Sequence, residues 1–337
     1  MSPTATPTDP TAEPTMTAEQ AAWFADTFDK LVANVGQAVL GKSHVVRLAL
    51  TCMLTEGHLL LEDAPGTGKT SLARAIAATV QGSHSRIQFT PDLLPSDVTG
   101  VTIYDQANRT FEFHNGPIFA SIVLADEINR ASPKTQSALL EVMEEGNVTV
   151  DGVSHAAPRP FMVIATQNPI EQAGTYRLPE AQLDRFLMKT SIGYPDHTST
   201  VQILEGARTR DRAATLGALI TTRAVSDMIT LAATVHVDGA VLEYISRLAE
   251  ETRTAPETKL GVSVRGSLAL VRTAKVWAAT QGRHYVLPDD IKELLGPVWR
   301  HRLMLDPEAE FAGATADTVL GRVLADVAAP QERRSAA

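Results

Sequence analysis

The residues best suited to chemistry lie in the stretch 59–71, where an apolar run leads into a glycine-containing loop and a Lys-Thr pair. Such a loop lets backbone N–H groups approach phosphate oxygens, and the start of the following helix favours negative charge there. Gly66 and Gly68 permit this close approach because they have no Cβ atom. Lys69 is predicted to place its ammonium on the β- and γ-phosphates, and the Thr70 hydroxyl to bind Mg²⁺. The stretch therefore predicts a strand, a phosphate-binding loop and a helix.

The strict form of this motif has a glycine where the chain has Asp63, so the surrounding pattern must support the interpretation. After the loop, Leu72, Ile76 and Val80 recur at helical spacing among alanines, which are strong helix formers. The alternative is an ordinary Gly/Pro turn between a strand and a helix. The predicted nucleotide-binding residues of this stretch are Pro65, Gly66, Thr67, Gly68, Lys69, Thr70 and Ser71.

A second candidate group closes the apolar run 121–127, which ends in Asp126 and Glu127. A continuous apolar strand suggests a parallel sheet covered on both faces, and ligands bind at the carboxyl ends of such strands. Asp126 is predicted to hold Mg²⁺ through water, and Glu127 to orient and deprotonate the attacking water. Alone, two such acids would usually mark a strand end that meets solvent. The phosphate-binding loop upstream favours the catalytic interpretation.

Two further segments can contribute to the same site. Asn168 ends the apolar run 160–168 and could hold the water or the γ-phosphate, although an asparagine before a proline also commonly starts a turn. The link Val39, Leu40 and Gly41 precedes a predicted helix that begins near Lys42. In nucleotide-binding folds of this kind such a link often flanks the adenine, whereas from the residues alone it is only an apolar turn.

Composition sets the broad class. With 337 residues, 44% of them apolar, the chain can bury a sizeable core and is expected to form two packed units. No apolar run approaches the roughly 18 residues of a membrane span, and no secretory signal is apparent, so a cytoplasmic location is expected. The single cysteine, Cys52, excludes an intramolecular disulfide and is predicted to be a core residue. The net charge of −9 makes a nucleic-acid partner unlikely on physical grounds.

The order of patterns divides the chain into four parts. Residues 1–17 are rich in proline and polar residues and are predicted to be a disordered tail. Residues 18–195 alternate strands and helices, with two β-hairpin signals near 100–113 and 147–153. Residues 196–329 read as helices, roughly 197–209, 223–233, 238–253, 263–281 and 288–301. Residues 330–337 are predicted to be a frayed end.

Together, the motifs resemble those of the AAA+ ATPases, and more narrowly those of the MoxR family. The resemblance is close over 36–195 and looser over the helical part to about 310. It rests on Gly41 and on the runs 61–70, 89–97, 116–119, 126–130, 166–169 and 178–186. The fold class that it implies is α/β: a P-loop domain with a parallel sheet between helices and two β-hairpin insertions, followed by a smaller all-α lid.

The resemblance also implies roles for single residues. From the residues alone, Arg185 is a surface arginine that could pair with Glu180 or Asp184. The family pattern instead makes it an arginine finger, which acts on a neighbouring subunit in a ring that is most plausibly hexameric. The implied assignments are the first nucleotide-binding motif at Lys69 and Thr70, the second at Asp126 and Glu127, the first sensor at Asn168, and the second sensor at Arg265. ATP and Mg²⁺ are the implied cofactors.

The function implied by the resemblance is ATP-driven maturation, activation or assembly of client proteins, often with a von Willebrand factor A domain partner. One alternative is a motor subunit of a metal-chelatase-like complex. Another is a nucleotide-gated scaffold or DNA-processing factor in which ATP only sets the conformation. Intact Glu127 and Arg185 favour turnover over a pure switch, and the acidic charge balance disfavours the DNA hypothesis.

Overall fold

A computed structural model describes residues 15–168, 175–176, 178–206 and 211–330. Its helices within these ranges are α1 Ala18–Gly36, α2 Ser43–Leu54, α3 Lys69–Thr79, α4 Pro95–Thr99, α5 Pro133–Glu145, α6 Glu180–Leu183, α7 His197–Glu205, α8 Thr222–Ala233, α9 Gly239–Thr254, α10 Val264–Thr280, α11 Pro288–Trp299, α12 Pro307–Phe311 and α13 Ala316–Asp326. Its strands are β1 Leu59–Glu62, β2 His84–Gln88, β3 Gly100–Asp105, β4 Thr110–Asn115, β5 Ile122–Asp126, β6 Asn147–Val150, β7 Val153–Ala156, β8 Met162–Gln167, β9 Met188–Thr190, β10 Thr258–Leu260 and β11 Met304–Leu305.

Five of these strands form one parallel sheet, in the order β2-β5-β8-β1-β9. Because the strands are parallel, all of their carboxyl ends lie at one edge of the sheet and all of their amino ends at the other. The predicted phosphate-binding loop, acids and Asn168 all follow carboxyl ends. The strand order therefore brings together three segments that are far apart in the sequence.

The sheet is buried on both faces, as its continuous apolar strands predict. Leu59 and Leu61 belong to one apolar cluster, whereas Leu60, between them, belongs to another. The first cluster includes residues of α1, α2, α3, α8, α9, α10, α11 and α13, and the second includes residues of α4 and α5. One apolar core thus runs from a face of the sheet into the helical part, so the two parts of the chain share an extensive contact.

Both predicted hairpins are present. β3 pairs with β4, and β6 pairs with β7, in antiparallel register. The second turn is Asp151-Gly152, whose φ angles of 51° and 79° suit a two-residue hairpin turn. The first hairpin carries Tyr104 and Phe111 side by side, with ring centroids 5.1 Å apart, and Phe111 is 75% exposed.

Within the described residues, the helices of the helical part follow the predicted boundaries closely, and further elements are present. Residues 207–209, the predicted end of the first helix, lie outside the described residues. Asp238 caps α9 through its side chain, and Pro288 occupies the first turn of α11, as expected for these residue types. Helices α12 and α13 and the two-stranded antiparallel ribbon of β10 and β11 were not predicted. Each strand of the ribbon has only two or three residues, which is too short for alternation to register in a sequence.

The predicted N-terminal tail, residues 1–17, extends too far into the chain. Met16 is buried, its N–H donates to the Thr234 carbonyl, and the Thr17 side chain caps α1. A capping threonine and a buried methionine fix the chain from at least residue 16, although the prolines before them disfavour a helix. Residues 1–14 and 331–337, which make up the rest of the two predicted tails, lie outside the described residues.

Several core predictions are confirmed. Trp277, Trp299 and Cys52 are buried, and burial raises the pKa of the Cys52 thiol, so it is an inert core residue.

Among the described residues, no helix is both long and apolar enough to cross a membrane.

Candidate active site

The phosphate-binding loop lies between β1 and α3, as its sequence predicts. Gly66 and Gly68 have φ angles of 83° and 96°, a conformation that other residues rarely adopt. The Lys69 ammonium donates to the carbonyls of Asp63 and Ala64, at 3.2 and 3.3 Å. It therefore lies across the loop, where it can meet phosphate oxygens that enter the concave side.

Asp63, which replaces the motif's usual glycine, has a structural role of its own. Its carboxylate is buried and accepts hydrogen bonds from the backbone N–H groups of Ile192 and Gly193, at 2.6 and 2.8 Å. The start of the loop is therefore tied to the segment that leaves β9 for the helical part. Sequence reasoning found only the departure from the motif and not this contact.

Asp126 and Glu127 follow β5 at the same edge of the sheet. Asp126 Oδ1 accepts a hydrogen bond from the Thr166 hydroxyl at 2.6 Å, and its Oδ2 lies 2.6 Å from a guanidinium nitrogen of Arg86. Both oxygens are therefore oriented by groups on the two neighbouring strands. An oxygen donor held in this way suits a hard cation such as Mg²⁺.

Glu127 is fixed still more firmly. Its φ angle is 57°, and its N–H donates to the Thr166 hydroxyl at 2.9 Å. Its Oε2 accepts hydrogen bonds from Gln88 and from Arg130, both at 2.9 Å. The carboxylate predicted to act as base is thus oriented by a side chain at the end of β2. Sequence reasoning missed Gln88, Thr166 and Arg86, although each lies on or beside the carboxyl half of a strand next to β5.

Asn168 directly follows β8, which lies between β5 and β1 in the sheet. This position is between the two acids and the phosphate-binding loop. The strand order therefore brings Asn168 to the same edge of the sheet as Lys69, Asp126 and Glu127. Its role as a sensor stays a prediction.

A cavity of about 420 Å³ lies beside the phosphate-binding loop. Val39 and Leu40 form part of its apolar wall, with Ile203 and Leu204 from α7. Gly41 has a φ of 71°, and a Cβ atom there would lie 2.1 Å from the Ser199 hydroxyl oxygen, so this link must pack closely against α7. The structure thus brings the predicted adenine segment next to the loop, in a pocket of the polarity that a purine base needs.

The two predicted arginines lie elsewhere, at the amino edge of the sheet. Arg185 precedes β9, and Arg265 lies in the first turn of α10. Both line a second cavity, of about 380 Å³, together with Gly57 and His58, which precede β1. Strand β1 alone separates the two edges by roughly 13 Å. Neither arginine is therefore brought to the phosphate-binding loop of its own chain.

The partners of Arg185 differ from those proposed from the residues alone. Its guanidinium lies 3.0 Å from Glu144 and is not paired with Glu180 or Asp184. Asp184 is instead bound by Arg302 at 2.6 Å, because Arg302 enters this edge from the helical part. Arg302 is buried and also donates to the carbonyls of Asp184, Phe186 and Leu187, so it fixes the backbone on both sides of Arg185.

The chain is similar to proteins of one class both in sequence and in structure. A family model described as "ATPase family associated with various cellular activities (AAA)" matches residues 58–188, and one for the AAA lid domain matches 250–323. The crystal structure of a candidate ATPase from Cytophaga hutchinsonii superposes with a TM-score of 0.87 and 36% identity, covering 93% of this chain and 98% of that one. The chain is an AAA+ ATPase, and it hydrolyses ATP.

The relatives narrow the class. Chaperone MoxR1 of Mycobacterium tuberculosis is 39% identical over 314 residues, 90% of this chain and 83% of the relative. YeaC of Bacillus subtilis, an uncharacterized protein, is 48% identical over 307 residues, 90% of this chain and 95% of the relative. Protein MoxR of Paracoccus denitrificans is 31% identical over 86% of this chain. The chain belongs to the MoxR family.

Proposed function

We propose that this protein is a ring-forming ATPase that uses ATP hydrolysis for chaperone-like maturation, activation or assembly of client proteins. The observation that carries the proposal is the separation of the catalytic groups onto two edges of one sheet. Lys69, Asp126 and Glu127 lie at the carboxyl edge, whereas Arg185 and Arg265 lie at the amino edge. A complete site then requires the carboxyl edge of one subunit to meet the amino edge of the next.

At the carboxyl edge, Lys69 and the N–H groups of the loop bind the phosphates, and Glu127 accepts the proton of the attacking water. The oxygens of Thr70 and Asp126 fit Mg²⁺, which is commonly held by one or two protein oxygens together with phosphates and water. When bound, this ion neutralises negative charge on the phosphates. Among the described residues, no group of three or more His, Cys, Asp or Glu offers an all-protein metal site, so Mg²⁺ is expected to bind together with the nucleotide.

At the amino edge, Arg185 and Arg265 present guanidinium groups to the neighbouring subunit. They are half-exposed, with 29% and 50% of their side-chain surface accessible, and so can be reached by a nucleotide on another chain. Charge that develops on the γ-phosphate in the transition state would be stabilised there. For arginine fingers this contribution is about 10³–10⁵ in rate.

The action on proteins rests on two further features. A relative 39% identical over most of both chains is named a chaperone. The first hairpin presents exposed Tyr104 and Phe111, which can contact apolar segments of a client. The net charge of −9 still disfavours nucleic acid. A hexameric ring, a von Willebrand factor A domain partner and a cytoplasmic location are parts of the proposal carried over from the family resemblance.

A chelatase motor is the second candidate, because the magnesium-chelatase 38 kDa subunit of Chlorobaculum parvum is 30% identical over 73% of this chain. That similarity is lower and shorter than the similarity to Chaperone MoxR1. The two functions differ in what stimulates hydrolysis. A porphyrin together with chelatase subunits should stimulate a chelatase motor, whereas an unfolded or immature protein client should stimulate a chaperone.

Mixing variants tests the division between the two edges. Arg185→Ala and Lys69→Ala should each be inactive alone, and a mixture should recover part of the ATPase activity, because one interface then combines an intact loop with an intact arginine. Lys69→Ala mixed with Glu127→Gln is the matched control and should stay inactive, since both changes affect the same edge. Normal hydrolysis by Arg185→Ala, or no recovery although subunits exchange, would overturn the proposal.

A further inference from the structure

Glu144 is the group that joins the two arginines of the amino edge. It lies in the last turn of α5, far in sequence from both. Its Oε2 is 3.0 Å from a terminal nitrogen of Arg185, and its Oε1 is 2.9 Å from a terminal nitrogen of Arg265. Each carboxylate oxygen thus holds one guanidinium. No signal in the sequence marked Glu144, which is one acid in the pair Glu144-Glu145.

The charges around this carboxylate leave the arginine pair positive. Asp184 is engaged by Arg302 at 2.6 Å and lies 3.9 Å from Arg265, beyond hydrogen-bond distance. Glu144 is therefore the carboxylate in direct contact with both Arg185 and Arg265. The cavity that they line has a volume of about 380 Å³, and its wall carries four arginines and three carboxylates, so it keeps a net positive charge: Arg185, Arg265, Arg272 and Arg302 against Glu56, Glu144 and Asp184. Such a cavity can accept a phosphate group.

Within the described part of the chain, the contacts of both arginines leave most of their N–H donors for a ligand. A guanidinium has five N–H donors, and the contact with Glu144 uses one nitrogen of each. A shared carboxylate restricts two long side chains to one arrangement and offsets the repulsion between them. Without this carboxylate, each arginine side chain would lose conformational freedom every time it bound a phosphate, and binding would be weaker by that cost.

The backbone that carries Arg185 is also anchored, by Arg302, and this second contact makes the arginine pair rigid. Arg302, whose side chain is only 3% exposed, fixes the backbone that carries Arg185. Arg265 belongs to α10, and Arg302 follows α11, so the helical part supplies one arginine of the pair and the anchor of the other. Glu144 then connects this unit to α5 of the sheet domain.

We propose that Glu144 is a positioning residue that holds Arg185 and Arg265 as one preformed pair for the γ-phosphate bound to the neighbouring subunit. This inference rests on the proposed function, because it presumes that both arginines act across an interface. The opposite possibility is a latch, in which Glu144 competes with the phosphate and withholds the arginines. The two possibilities predict opposite changes in the rate of ATP hydrolysis. Removal of a positioning group slows hydrolysis, whereas removal of a latch accelerates it.

Glu144→Gln tests the inference, because the amide keeps the shape of the side chain but loses its charge. We expect kcat for ATP to fall by about 10- to 100-fold, the size of effect that a misplaced catalytic group produces. The KM for ATP and the affinity for a fluorescent ATP analogue should stay unchanged, because the phosphate-binding loop lies at the other edge. Glu144→Asp, which keeps the charge on a shorter side chain, should restore part of kcat. Glu145→Gln, an exposed change on the same helix, should leave kcat unchanged.

Two combinations show where Glu144 acts. A mixture of Glu144→Gln with Lys69→Ala subunits should regain activity, because the Lys69→Ala subunit offers an intact arginine pair to an intact loop. Adding Glu144→Gln to the double variant Arg185→Ala/Arg265→Ala should cause no further loss of the residual rate, since Glu144 then has no arginine left to position. Losses that multiply in that background would mean that Glu144 acts independently of the arginine pair and would overturn the inference.

The outcomes separate the inference from the proposed function. If Arg185→Ala hydrolyses ATP normally, the proposed function fails. If Arg185→Ala is inactive and Glu144→Gln has a normal or increased kcat, only the positioning role fails. If Glu144→Gln loses activity together with ring assembly, measured by light scattering, the residue holds the interface and the positioning role is wrong.

Discussion

The carboxyl and amino edges of the sheet are built in different ways. At the carboxyl edge, each catalytic group belongs to a loop or strand end that is recognisable in the sequence, and contacts between neighbouring strands fix its orientation. At the amino edge, the arginines come from a loop and a distant helix and are held by Glu144 and Arg302, neither of which belongs to a motif. The predicted nucleotide site is thus built from local segments of the chain, whereas the arrangement at the amino edge depends on how the helical part packs.

This contrast suggests different responses to mutation. Changes at the carboxyl edge should impair chemistry or binding in the subunit that carries them. Changes at the amino edge should impair the neighbour's chemistry, or loosen the packing between the sheet domain and the helical part.

Glu127→Gln should lower kcat by about 10²- to 10⁴-fold, because the amide keeps its size and hydrogen bonding but cannot accept the proton of water. ATP should stay bound and unhydrolysed, which a filter-binding assay with labelled ATP can measure. Lys69→Ala is the comparison at the same edge and should lose binding itself. Near-normal turnover by Glu127→Gln would mean that another group is the base.

Arg302→Ala should destabilise the protein by about 3–5 kcal/mol, because it leaves the partly buried Asp184 and several backbone carbonyls without their donor. The free energy of unfolding in urea measures this loss. The matched control is Arg300→Ala, whose partner Asp317 is 59% exposed, so its loss should be within about 1 kcal/mol. Equal effects of the two changes would show that Arg302 does not anchor the amino edge.

Stability should fall as the pH is lowered, through His58 and His301 near the amino edge. His58 accepts the Val163 N–H at Nδ1, so its neutral Nε2–H form donates to the Met143 carbonyl, and burial lowers its pKa to about 4. Burial also lowers the pKa of His301, with a further contribution from Arg302.

The direction of this pH dependence follows from the protons that the two histidines take up when the protein unfolds. Both imidazoles titrate near pH 6.5 when unfolded and have lowered pKa values when folded, so their contribution to stability is complete above about pH 6.5 and is lost as the pH falls. For His58 this loss continues down to about pH 4. At pH 5, His58 alone should cost about 2 kcal/mol. Unfolding free energies between pH 7 and 5 measure the slope. His58→Gln should flatten it, and an unchanged slope would exclude His58 as its source.

Gln88→Leu should have the smallest effect of these changes, a fall in kcat of about tenfold or about 1.4 kcal/mol. It removes one of the donors that orient Glu127, while Arg130 and Thr166 keep their contacts. The affinity for ATP should not change, which serves as the internal control. A loss as large as that of Glu127→Gln would mean that Gln88 takes part in the chemistry directly.

The sequence by itself determined the carboxyl edge of this protein. Apolar runs that end in Asp126, Glu127 and Asn168, and a loop with Gly66 and Gly68, predict a parallel sheet with its ligand site at one edge, because strand burial and loop conformation are local in the chain. The two hairpins and the main helices followed from alternation, capping and spacing for the same reason. The ribbon of β10 and β11 escaped this reasoning because its strands are too short to show a period.

Only the tertiary structure decided the contacts that join distant segments. Asp63 with the backbone at 192–193, Gln88 with Glu127, and Glu144 with Arg185 and Arg265 each span from about 40 to 130 residues. Side chains of this kind have no periodicity, since a polar group at a helix end or in a loop satisfies local rules equally well with or without a distant partner. Arg185 lies at the edge opposite the phosphate-binding loop because it precedes the parallel strand β9, whereas the packing of the helical part against the sheet brings Arg265 to the same edge and decides which charges meet there.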